Sequence, residues 1–372
     1  MSPAQVEPKR TPLHAQHLEL GARMVEFAGW SMPVQYDGVL KEHERVRTAA
    51  GLFDVSHMGE LFFTGPGALA TLDRLATNDV RALGDGQALY TPLCNERGGV
   101  RDDVLVYRFD AARFMMVVNA ANTAKILEWA RAGLQGDTDL EDRSESVALL
   151  AVQGPRSADI LSASRRLGGL AARVRDLLYY RFAASDGRET VLVSRTGYTG
   201  ELGYEIYLPA ARAADLWREL LEIGRAHGAG PAGLAARDTL RFEVGYCLYG
   251  NELDEDTSPL EAGLGWTVKL GKPEFIGKAA LVRQKAEGPP RRLVGLAPEE
   301  RVIARQGTEV RAGDRPVGKV TSGSYAPTLA RSLALALVRT EAVREPLSVH
   351  VRGRAVRAQR VELPFHKAVA AA

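Results

Sequence analysis

An alternation of strand-like and helix-like segments along the first half of the chain constrains the fold more than any other feature. Apolar residues recur with a period of two in the strand-like segments and with a helical period in the others. The predicted series is Gly59–Thr64 (strand), Pro66–Leu75 (helix), Asp103–Phe109 and Arg113–Asn119 (strands), Ala120–Leu134 (helix) and Ser146–Gln153 (strand). The order β-α-β-β-α-β predicts a ferredoxin-like, or split βαβ, unit.

A helix–hairpin–helix series follows the first series. Its predicted members are Pro155–Leu161 (helix), Thr190–Ser194 and Gly203–Pro209 (strands) and Ala213–Ala226 (helix). The sequence therefore predicts an α+β protein that contains a pair of ferredoxin-like units.

The last eighty residues carry a different pattern. The polar stretch 285–292, which contains Gly288 and two prolines, is typical of a linker. Six short apolar runs follow at Leu293–Leu296, Gly307–Arg311, Pro316–Thr321, Leu333–Val338, Leu347–Val351 and Val356–Val361. Short strands at this spacing predict a small all-β barrel or sandwich.

Composition excludes several classes of protein. The 48 basic and 46 acidic residues give a net charge of +2, and the basic residues form no block, so no nucleic-acid partner is expected. No apolar run approaches the ~18 residues of a membrane span, so no membrane association is expected. The chain has only 2 cysteines, and its N-terminal residues show neither an apolar signal core nor a transit-peptide pattern. These features predict a cytoplasmic protein.

A pair of carboxylates begins one of the predicted strands. Gly98–Gly99 forms a tight turn, and Asp102 and Asp103 follow it. Because side chains alternate along a strand, Asp103 shares a face with Leu105 and Tyr107. An Asp in this position either caps the turn or presents its charge to a ligand.

The facing strand bears on this choice. A hairpin centred on Ala111 predicts the cross-strand pairs Phe109 with Arg113, Tyr107 with Met115 and Asp103 with Asn119. This register places a carboxylate, a phenol and an amide on one face of the sheet. The functional and the turn-capping interpretations of Asp103 both remain open.

A glycine-rich segment between two predicted strands is the next candidate. The spacing of Gly197, Gly200 and Gly203 resembles that of a nucleotide-binding loop. Such a loop, however, connects a strand to a helix. These glycines lie between two predicted strands, so a hairpin loop is favoured. Glu205 then interrupts an apolar strand. It either faces solvent or accepts two parallel hydrogen bonds from an amidine-like edge of a ligand.

Two arginines lie four residues apart on a predicted helix. Arg237 and Arg241 share a face, and salt bridges to Asp238 and Glu243 are one interpretation. Contact with an anionic ligand tail is the other. The 7 histidines show no metal-binding spacing, and no nucleophile elbow or Walker loop is present, so no metal site is expected.

Taken together, these motifs resemble the aminomethyltransferase family, the T-protein of the glycine cleavage system. The resemblance runs from about Thr11 to Lys367. Its motifs are Thr11–His14 (TPLH), Phe27–Trp30 (FAGW), Gly51–Gly59 (GLFDVSHMG), Gly98–Asp103 (GGVRDD), Val118–Asn122 (VNAAN), Gln153–Pro155 (QGP), Arg195–Glu201 (RTGYTGE), Ala236–Arg241 (ARDTLR), Pro259–Trp266 (PLEAGLGW), Phe275–Lys278 (FIGK) and Thr321–Thr328 (TSGSYAPT).

The resemblance implies a domain organisation. Residues 1–285 would form a tetrahydrofolate-binding region of two intertwined α+β subdomains, the second spanning roughly residues 52–145. Residues 286–367 would form a small C-terminal β-barrel.

It also implies a reaction and a partner. The lipoyl arm of the H-protein, a transient partner, delivers an aminomethyl group, and its methylene passes to the co-substrate tetrahydrofolate. The products are 5,10-methylenetetrahydrofolate, ammonia and the dihydrolipoyl arm. Attack by folate N5 leaves iminium-like positive charge on the carbon, which a buried carboxylate stabilises. The resemblance assigns that role to Asp103 and requires no metal.

The resemblance further implies the folate contacts. They fall on Tyr90, Asp103, Tyr107, Val117, Asn119, Tyr198, Glu205, Arg237 and Tyr246. Two alternatives share this fold: another tetrahydrofolate-dependent demethylase, and a non-catalytic folate-binding protein of iron–sulfur assembly. Demethylases in oxidase chains usually carry a large flavin domain, and the iron–sulfur assembly relatives are commonly shorter and lose the Asp-Asp segment.

Overall fold

The computed structural model describes residues 7–185, 190–367 and 369. Contacts divide the chain into two compact units, each built from separate stretches. The first unit comprises the described residues within 1–60, 142–238 and 369–372, and the second those within 61–141 and 239–368. The chain therefore leaves the first unit twice, after residues 60 and 238, and returns to it twice, at residues 142 and 369.

Eight α-helices occur in the described residues. They are α1 (His14–Glu19), α2 (Val39–Thr48), α3 (Ala68–Leu75), α4 (Thr123–Ala132), α5 (Ser157–Ser162), α6 (Ala213–Arg225), α7 (Leu234–Glu243) and α8 (Lys278–Glu287).

Twenty strands occur in the same part of the chain. They are β1 (Lys9–Arg10), β2 (Arg23–Phe27), β3 (Trp30–Gln35), β4 (Gly51–Asp54), β5 (Gly59–Thr64), β6 (Gln87–Cys94), β7 (Val100–Asp110), β8 (Arg113–Val118), β9 (Asp139–Asp142), β10 (Val147–Gln153), β11 (Phe182–Ala184), β12 (Leu192–Ser194), β13 (Gly203–Pro209), β14 (Gly230–Pro231), β15 (Arg291–Pro298), β16 (Glu309–Ala312), β17 (Arg315–Ala326), β18 (Arg331–Arg339), β19 (Leu347–Val351) and β20 (Arg354–Val361).

The main sheet of the first unit is built around β10. Its strand order is β11-β12-β13-β10-β4-β14, and β10 is antiparallel to both of its neighbours. An apolar run such as Val147–Gln153 is expected of a central strand that is covered on both faces. The hydrophobic core of this unit includes Trp217 and Leu220 from α6 and Ile160 from α5.

The second unit contains a five-stranded sheet of order β6-β7-β8-β5-β9. Strands β7-β8-β5-β9 have the order of a ferredoxin-like sheet, with α3 and α4 as its two crossovers, and β6 adds one strand at the edge. The apolar side chains of α3, α4 and the sheet form one core. In the first unit β12-β13-β10-β4 repeats this spatial order, but the fourth place is taken by β4, which precedes β10 in the chain. The predicted pair of ferredoxin-like units is confirmed.

One predicted strand belongs elsewhere. The sequence assigns Ser146–Gln153 to the end of the first β-α-β-β-α-β series, but β10 lies in the other sheet, and β9 takes the place beside β5. Strand β9 is four residues long, and only its Leu140 is buried. Its sequence therefore carries almost no alternation from which it could be predicted.

The predicted register of the β7–β8 hairpin is right in its interior and wrong at its turn. Tyr107 pairs with Met115 as expected. Asp110, not Phe109, pairs with Arg113, because the ladder is irregular between Arg108 and Asp110. A bulge of one residue at the turn shifts the pairing there without changing the faces further along.

The C-terminal strands close into a barrel of order β15-β18-β17-β16-β19-β20. Each of the six predicted apolar runs corresponds to one of these strands. Alternate residues point inward and form a separate apolar core that includes Val310, Ala336 and Val349. Strand β17 has a register shift between Val320 and Ser322, which supplies the curvature that closure requires. Among the described helices, none is long and apolar enough to span a membrane.

Candidate active site

The turn that precedes β7 fixes the position of the paired carboxylates in the second unit. Asn95 Oδ1 accepts hydrogen bonds from the backbone N–H groups of Arg97 (3.0 Å) and Gly99 (3.1 Å). Gly98 has a φ of +86°, a conformation in which a side chain would be strained. This turn determines where β7 begins and therefore which face of the sheet Asp103 occupies.

Asp103 is held from the strands on both sides. Tyr90 on β6 donates its hydroxyl to Asp103 Oδ2 at 2.9 Å, and Asn119, just after β8, donates Nδ2 to Oδ1 at 3.0 Å. Each oxygen of the half-buried carboxylate thus has a neutral donor from a neighbouring strand. These cross-strand contacts favour the functional interpretation of Asp103 over turn capping. They also bring together three of the predicted site residues.

Asp102 supports this arrangement from the other face of β7. It is fully buried and accepts hydrogen bonds from the Asn119 backbone N–H (3.1 Å), Asn119 Nδ2 (2.7 Å) and Asn122 Nδ2 (2.7 Å). Asp102 therefore orients the amide that binds Asp103. The sequence interpretation gave Asp102 no role, although the spacing of Asn119 and Asn122 was a usable signal.

The pKa values of both carboxyl groups lie above the ordinary range. For Asp103, burial raises the pKa, and the hydrogen bonds from Tyr90 and Asn119 oppose the rise without cancelling it. For Asp102, burial again comes first, and the charge of Asp103 raises the pKa further. A carboxylate that is costly to ionise gains most from positive charge that develops beside it.

Three other predicted residues lie in the second unit. Tyr107 is fully buried on the face of β7 that carries Asp103, and Val117 on β8 is 4% exposed and pairs with Leu105. Tyr246 is half-buried after α7 and donates its backbone N–H to the carbonyl of Arg241 at 3.0 Å. Their contact with a ligand stays a prediction.

Tyr90 has a further partner that the sequence interpretation missed. The indole of Trp266 stacks on the Tyr90 ring, with centroids 6.0 Å apart and an interplanar angle of 27°. Trp266 is 61% exposed, an unusual position for so large an apolar side chain. An exposed aromatic plane next to the tyrosine that binds Asp103 can stack on a planar ligand.

In the first unit, Glu205 is buried rather than solvent-facing. It lies on β13 and is 6% exposed, so the interpretation of a surface carboxylate is wrong. Thr196 donates its hydroxyl to Glu205 Oε2 at 2.6 Å. Burial raises the pKa of Glu205, while Thr196 and the charge of Arg237 lower it.

Arg237 and Tyr198 complete the group in the first unit. The guanidinium of Arg237 lies 4.6 Å from the centroid of the Tyr198 ring. Burial lowers the pKa of Arg237, while the charge of Glu205 acts to raise it. Its Nη1 is buried and has no hydrogen-bond partner among the described residues. A ligand acceptor is the natural partner for such a donor.

The glycine-rich segment forms a hairpin loop as predicted. Strands β12 and β13 are antiparallel, with Ser194 opposite Glu205. A Cβ at Gly197 or Gly203 would lie 2.0 Å or 2.4 Å from the side chain of Gln153. Gly197 and Gly203 therefore permit close packing of this loop against Gln153.

Arg241 has a partner that the sequence analysis does not predict. Its Nη1 forms a buried ion pair with Glu252 Oε2 at 2.8 Å, and the bridge to Asp238 or Glu243 stays a prediction. Arg241 is 1% exposed and falls in the second unit, whereas Arg237 falls in the first. A partner eleven residues away in a loop gives no local sequence signal.

His57 is a further buried group in the first unit. Burial and the charge of Arg237 lower its pKa to about 4, although Asp54 acts in the other direction. A neutral imidazole next to Arg237 adds a hydrogen-bonding group to that region. No group of three or more His, Cys, Asp or Glu in the described ranges is arranged to hold a metal ion.

Comparison with known proteins defines the class to which this fold and site belong. The family described as GCVT N-terminal domain matches residues 13–272, and the Glycine cleavage T-protein C-terminal barrel domain matches residues 291–367. An aminomethyltransferase of Rubrobacter xylanophilus is 51% identical over 363 residues, covering 96% of this chain and 94% of the relative. One of Halothermothrix orenii is 49% identical over 361 residues, covering 96% and 99%.

A solved structure gives the same result. The crystal structure of the glycine cleavage system aminomethyltransferase T from Bartonella henselae matches with a TM-score of 0.89 at 35% identity, covering 97% of this chain and 98% of that one. The chain belongs to the aminomethyltransferase family, the glycine cleavage T-proteins.

Proposed function

We propose that this enzyme transfers the methylene of an aminomethyl group, carried on the dihydrolipoyl arm of an H-protein, to tetrahydrofolate. The observation that carries the proposal is the Asp103 carboxylate, held between Tyr90 and Asn119 in a chain of the T-protein family. The demethylase and iron–sulfur alternatives are not favoured, because the chain matches aminomethyltransferases over nearly its whole length and retains the Asp102–Asp103 pair.

The polar groups of the first unit fit tetrahydrofolate as the second substrate. Its pterin carries a donor edge of adjacent N–H groups, which matches the buried carboxylate of Glu205. It also carries a carbonyl acceptor, which suits the unpartnered Nη1 of Arg237. Glu205 and Arg237 are therefore proposed as pterin-binding residues, with Tyr198, Tyr107, Val117 and Tyr246 as further contacts.

The overall reaction balances without an oxidant or a reductant. The methylene carbon loses its bonds to the lipoyl sulfur and to the amino nitrogen, and gains bonds to N5 and N10 of tetrahydrofolate. The two protons released from these folate nitrogens end on the sulfur and on the departing nitrogen. The products are 5,10-methylenetetrahydrofolate, the dihydrolipoyl thiol and ammonia.

Asp103 has the central electrostatic role. The carbon becomes electron-poor as its leaving groups depart, and the anionic carboxylate stabilises that charge. Because Tyr90 and Asn119 donate neutral hydrogen bonds, they fix the carboxylate without supplying a cation that would cancel its charge. Tetrahydrofolate supplies the nucleophilic nitrogens, and Asn119 keeps Asp103 oriented through its own bond to Asp102.

The proposal also covers the partners of the enzyme and its location in the cell. The lipoyl-carrying H-protein is a transient partner, and the small net charge with no basic block fits a protein with no nucleic-acid ligand. The presence of only 2 cysteines fits a reducing cytoplasm.

Ammonia release from aminomethyl-loaded H-protein tests the proposal directly. With tetrahydrofolate present, we expect ammonia and 5,10-methylenetetrahydrofolate to form in equal amounts, and without it only slow ammonia release. H-protein without lipoate is the matched control and should be inert. Turnover of sarcosine or dimethylglycine in place of the loaded H-protein would refute the proposal in favour of a demethylase.

A further inference from the structure

Another buried carboxylate of the second unit lies in the segment between α7 and α8. Glu252 is 0% exposed, and its Oε2 accepts hydrogen bonds from Arg241 Nη1 (2.8 Å) and from the backbone N–H of Leu248 (3.0 Å). Its other oxygen, Oε1, is buried and has no hydrogen-bond partner among the described residues. Burying a carboxylate oxygen without a hydrogen-bond donor costs free energy, so a donor from a ligand would stabilise it.

The carboxylate is fixed in place by the groups around it. Arg241 also donates to the carbonyl of Tyr246 at 3.1 Å and to Ser322 Oγ at 3.0 Å, so its guanidinium is held at several points. Because Arg241 and Leu248 both bind Oε2, Glu252 cannot turn Oε1 toward them without losing a bond. Oε1 is therefore a preorganised acceptor for an outside donor.

Glu252 belongs to the neighbourhood of Asp103. The backbone N–H of Val100, the first residue of β7, donates to the carbonyls of Asp254 (2.9 Å) and Thr257 (3.0 Å). The segment that carries Glu252 is thus hydrogen-bonded to the start of the strand that carries Asp103. In agreement, the charge of Glu252 adds to the rise in the pKa of Asp103 that burial causes.

We propose that Glu252 Oε1 accepts a hydrogen bond from the amino group of the aminomethyl substrate and holds that nitrogen as it leaves. This inference rests on the proposed function. When the C–N bond breaks, its electron pair goes to nitrogen, which takes up a proton released by tetrahydrofolate. An anionic acceptor favours a protonated amine, and the enclosed position of Glu252 suits a group as small as ammonia.

The reverse reaction isolates this contact, because ammonia is then a separate substrate with its own KM. The assay uses the full-length enzyme with dihydrolipoyl H-protein, 5,10-methylenetetrahydrofolate and varied ammonium. In Glu252→Gln, Arg241 selects the amide oxygen and leaves an NH₂ donor at the place of Oε1. We expect the KM for ammonium to rise at least about tenfold, while the KM for the folate changes less than about threefold.

Glu261→Gln is the matched control in the same unit. Glu261 is 4% exposed, and its two oxygens accept from Arg291 Nε (2.6 Å) and the Ser258 N–H (2.9 Å), so neither is available to a ligand. This variant should lose stability and keep its KM for ammonium. An equal rise in both variants, or no rise in Glu252→Gln, would overturn the inference.

Glu252→Asp covers the case in which Glu252→Gln does not fold. The shorter side chain keeps the charge and withdraws the acceptor, so the KM for ammonium should rise by a smaller factor. An unchanged KM in folded Glu252→Asp overturns the inference. If the wild-type enzyme incorporates no ammonium at all, the proposed function fails instead.

Discussion

Two neutral donors, rather than a cation, hold the carboxylate of Asp103. Tyr90 and Asn119 each bind one of its oxygens, and Asp102 in turn binds Asn119. An arginine in either place would orient Asp103 equally well but would neutralise it. The arrangement keeps the negative charge available for an electron-poor carbon. Because burial lowers the local dielectric constant, the attraction between the two charges is stronger than in water.

Asp103→Asn tests this charge with little change of shape. The amide keeps the size of the side chain and removes the charge, so kcat for ammonia release should fall by about 10²-fold or more. The affinity for tetrahydrofolate, measured by calorimetry, should change much less. Asp110→Asn at the other end of β7 is the control and should keep its activity. Full activity in Asp103→Asn would rule out the assigned role.

The pH profile of kcat provides an independent test of the same group. Asp103 acts as the anion, and burial raises its pKa, so activity should be lost as the pH falls through that raised pKa. The low-pH limb should therefore lie above the ordinary carboxyl value of about 4. In Tyr90→Phe, a hydrogen bond that stabilises the anion is removed, and the limb should move to higher pH. If the apparent pKa of the low-pH limb is the same in Tyr90→Phe as in the wild type, the assignment of that limb to Asp103 is wrong.

At the level of helices and strands, the sequence predicts those elements whose apolar residues recur with a regular period. The barrel strands and the Asp103–Tyr107 face follow from alternation alone. Strand β6 was missed because its Pro92 is unfavourable in a strand, and an edge strand tolerates it. The ion pair of Arg241 with Glu252 depends on the conformation of the loop after α7. The local sequence pattern does not predict that conformation.

The turn before β7 provides a test at this scale. A Cβ at Gly99 would lie 1.8 Å from the carbonyl oxygen of Glu255, so the segment 249–257 would have to move away from β7. Gly99→Ala should lower the free energy of unfolding by roughly 1–3 kcal/mol and reduce kcat as well. Thermal and urea unfolding, with the ammonia assay, measure both effects.

Gly271→Ala is the matched control for that substitution. A Cβ at Gly271 meets no heavy atom within 4 Å. The variant should therefore match the wild type in stability and activity. If Gly99→Ala behaves like Gly271→Ala, the close packing of the turn against Glu255 is not important.

Considered as a whole, the chain has nearly equal numbers of both charges, 48 basic and 46 acidic residues. The basic residues form no block in the sequence, so we expect no single basic docking surface for a partner. Docking of an H-protein should therefore depend on scattered charge pairs, which are weak individually and which salt screens.

Ionic strength tests this expectation for the assembled system. The KM for aminomethyl-loaded H-protein should rise between low and high salt, because the Debye length falls from about 30 Å at 0.01 M to about 3 Å at 1 M. Free aminomethyl-lipoamide has no docking surface, so its KM is the reference. A ratio of the two KM values that does not change with salt would exclude electrostatic docking.

Strand β4 has a consequence for how the protein is made. Asp54 on β4 pairs with Leu150 on β10, and Leu52 pairs with Pro231 on β14. On the ribosome, β4 is synthesised long before either partner, and at ~5–20 residues per second the wait for β10 is roughly 5–20 s. During that time the apolar Leu52 and Phe53 have no sheet to join. This short apolar stretch therefore stays unpaired on the nascent chain until β10 is made, and slower translation lengthens its exposure.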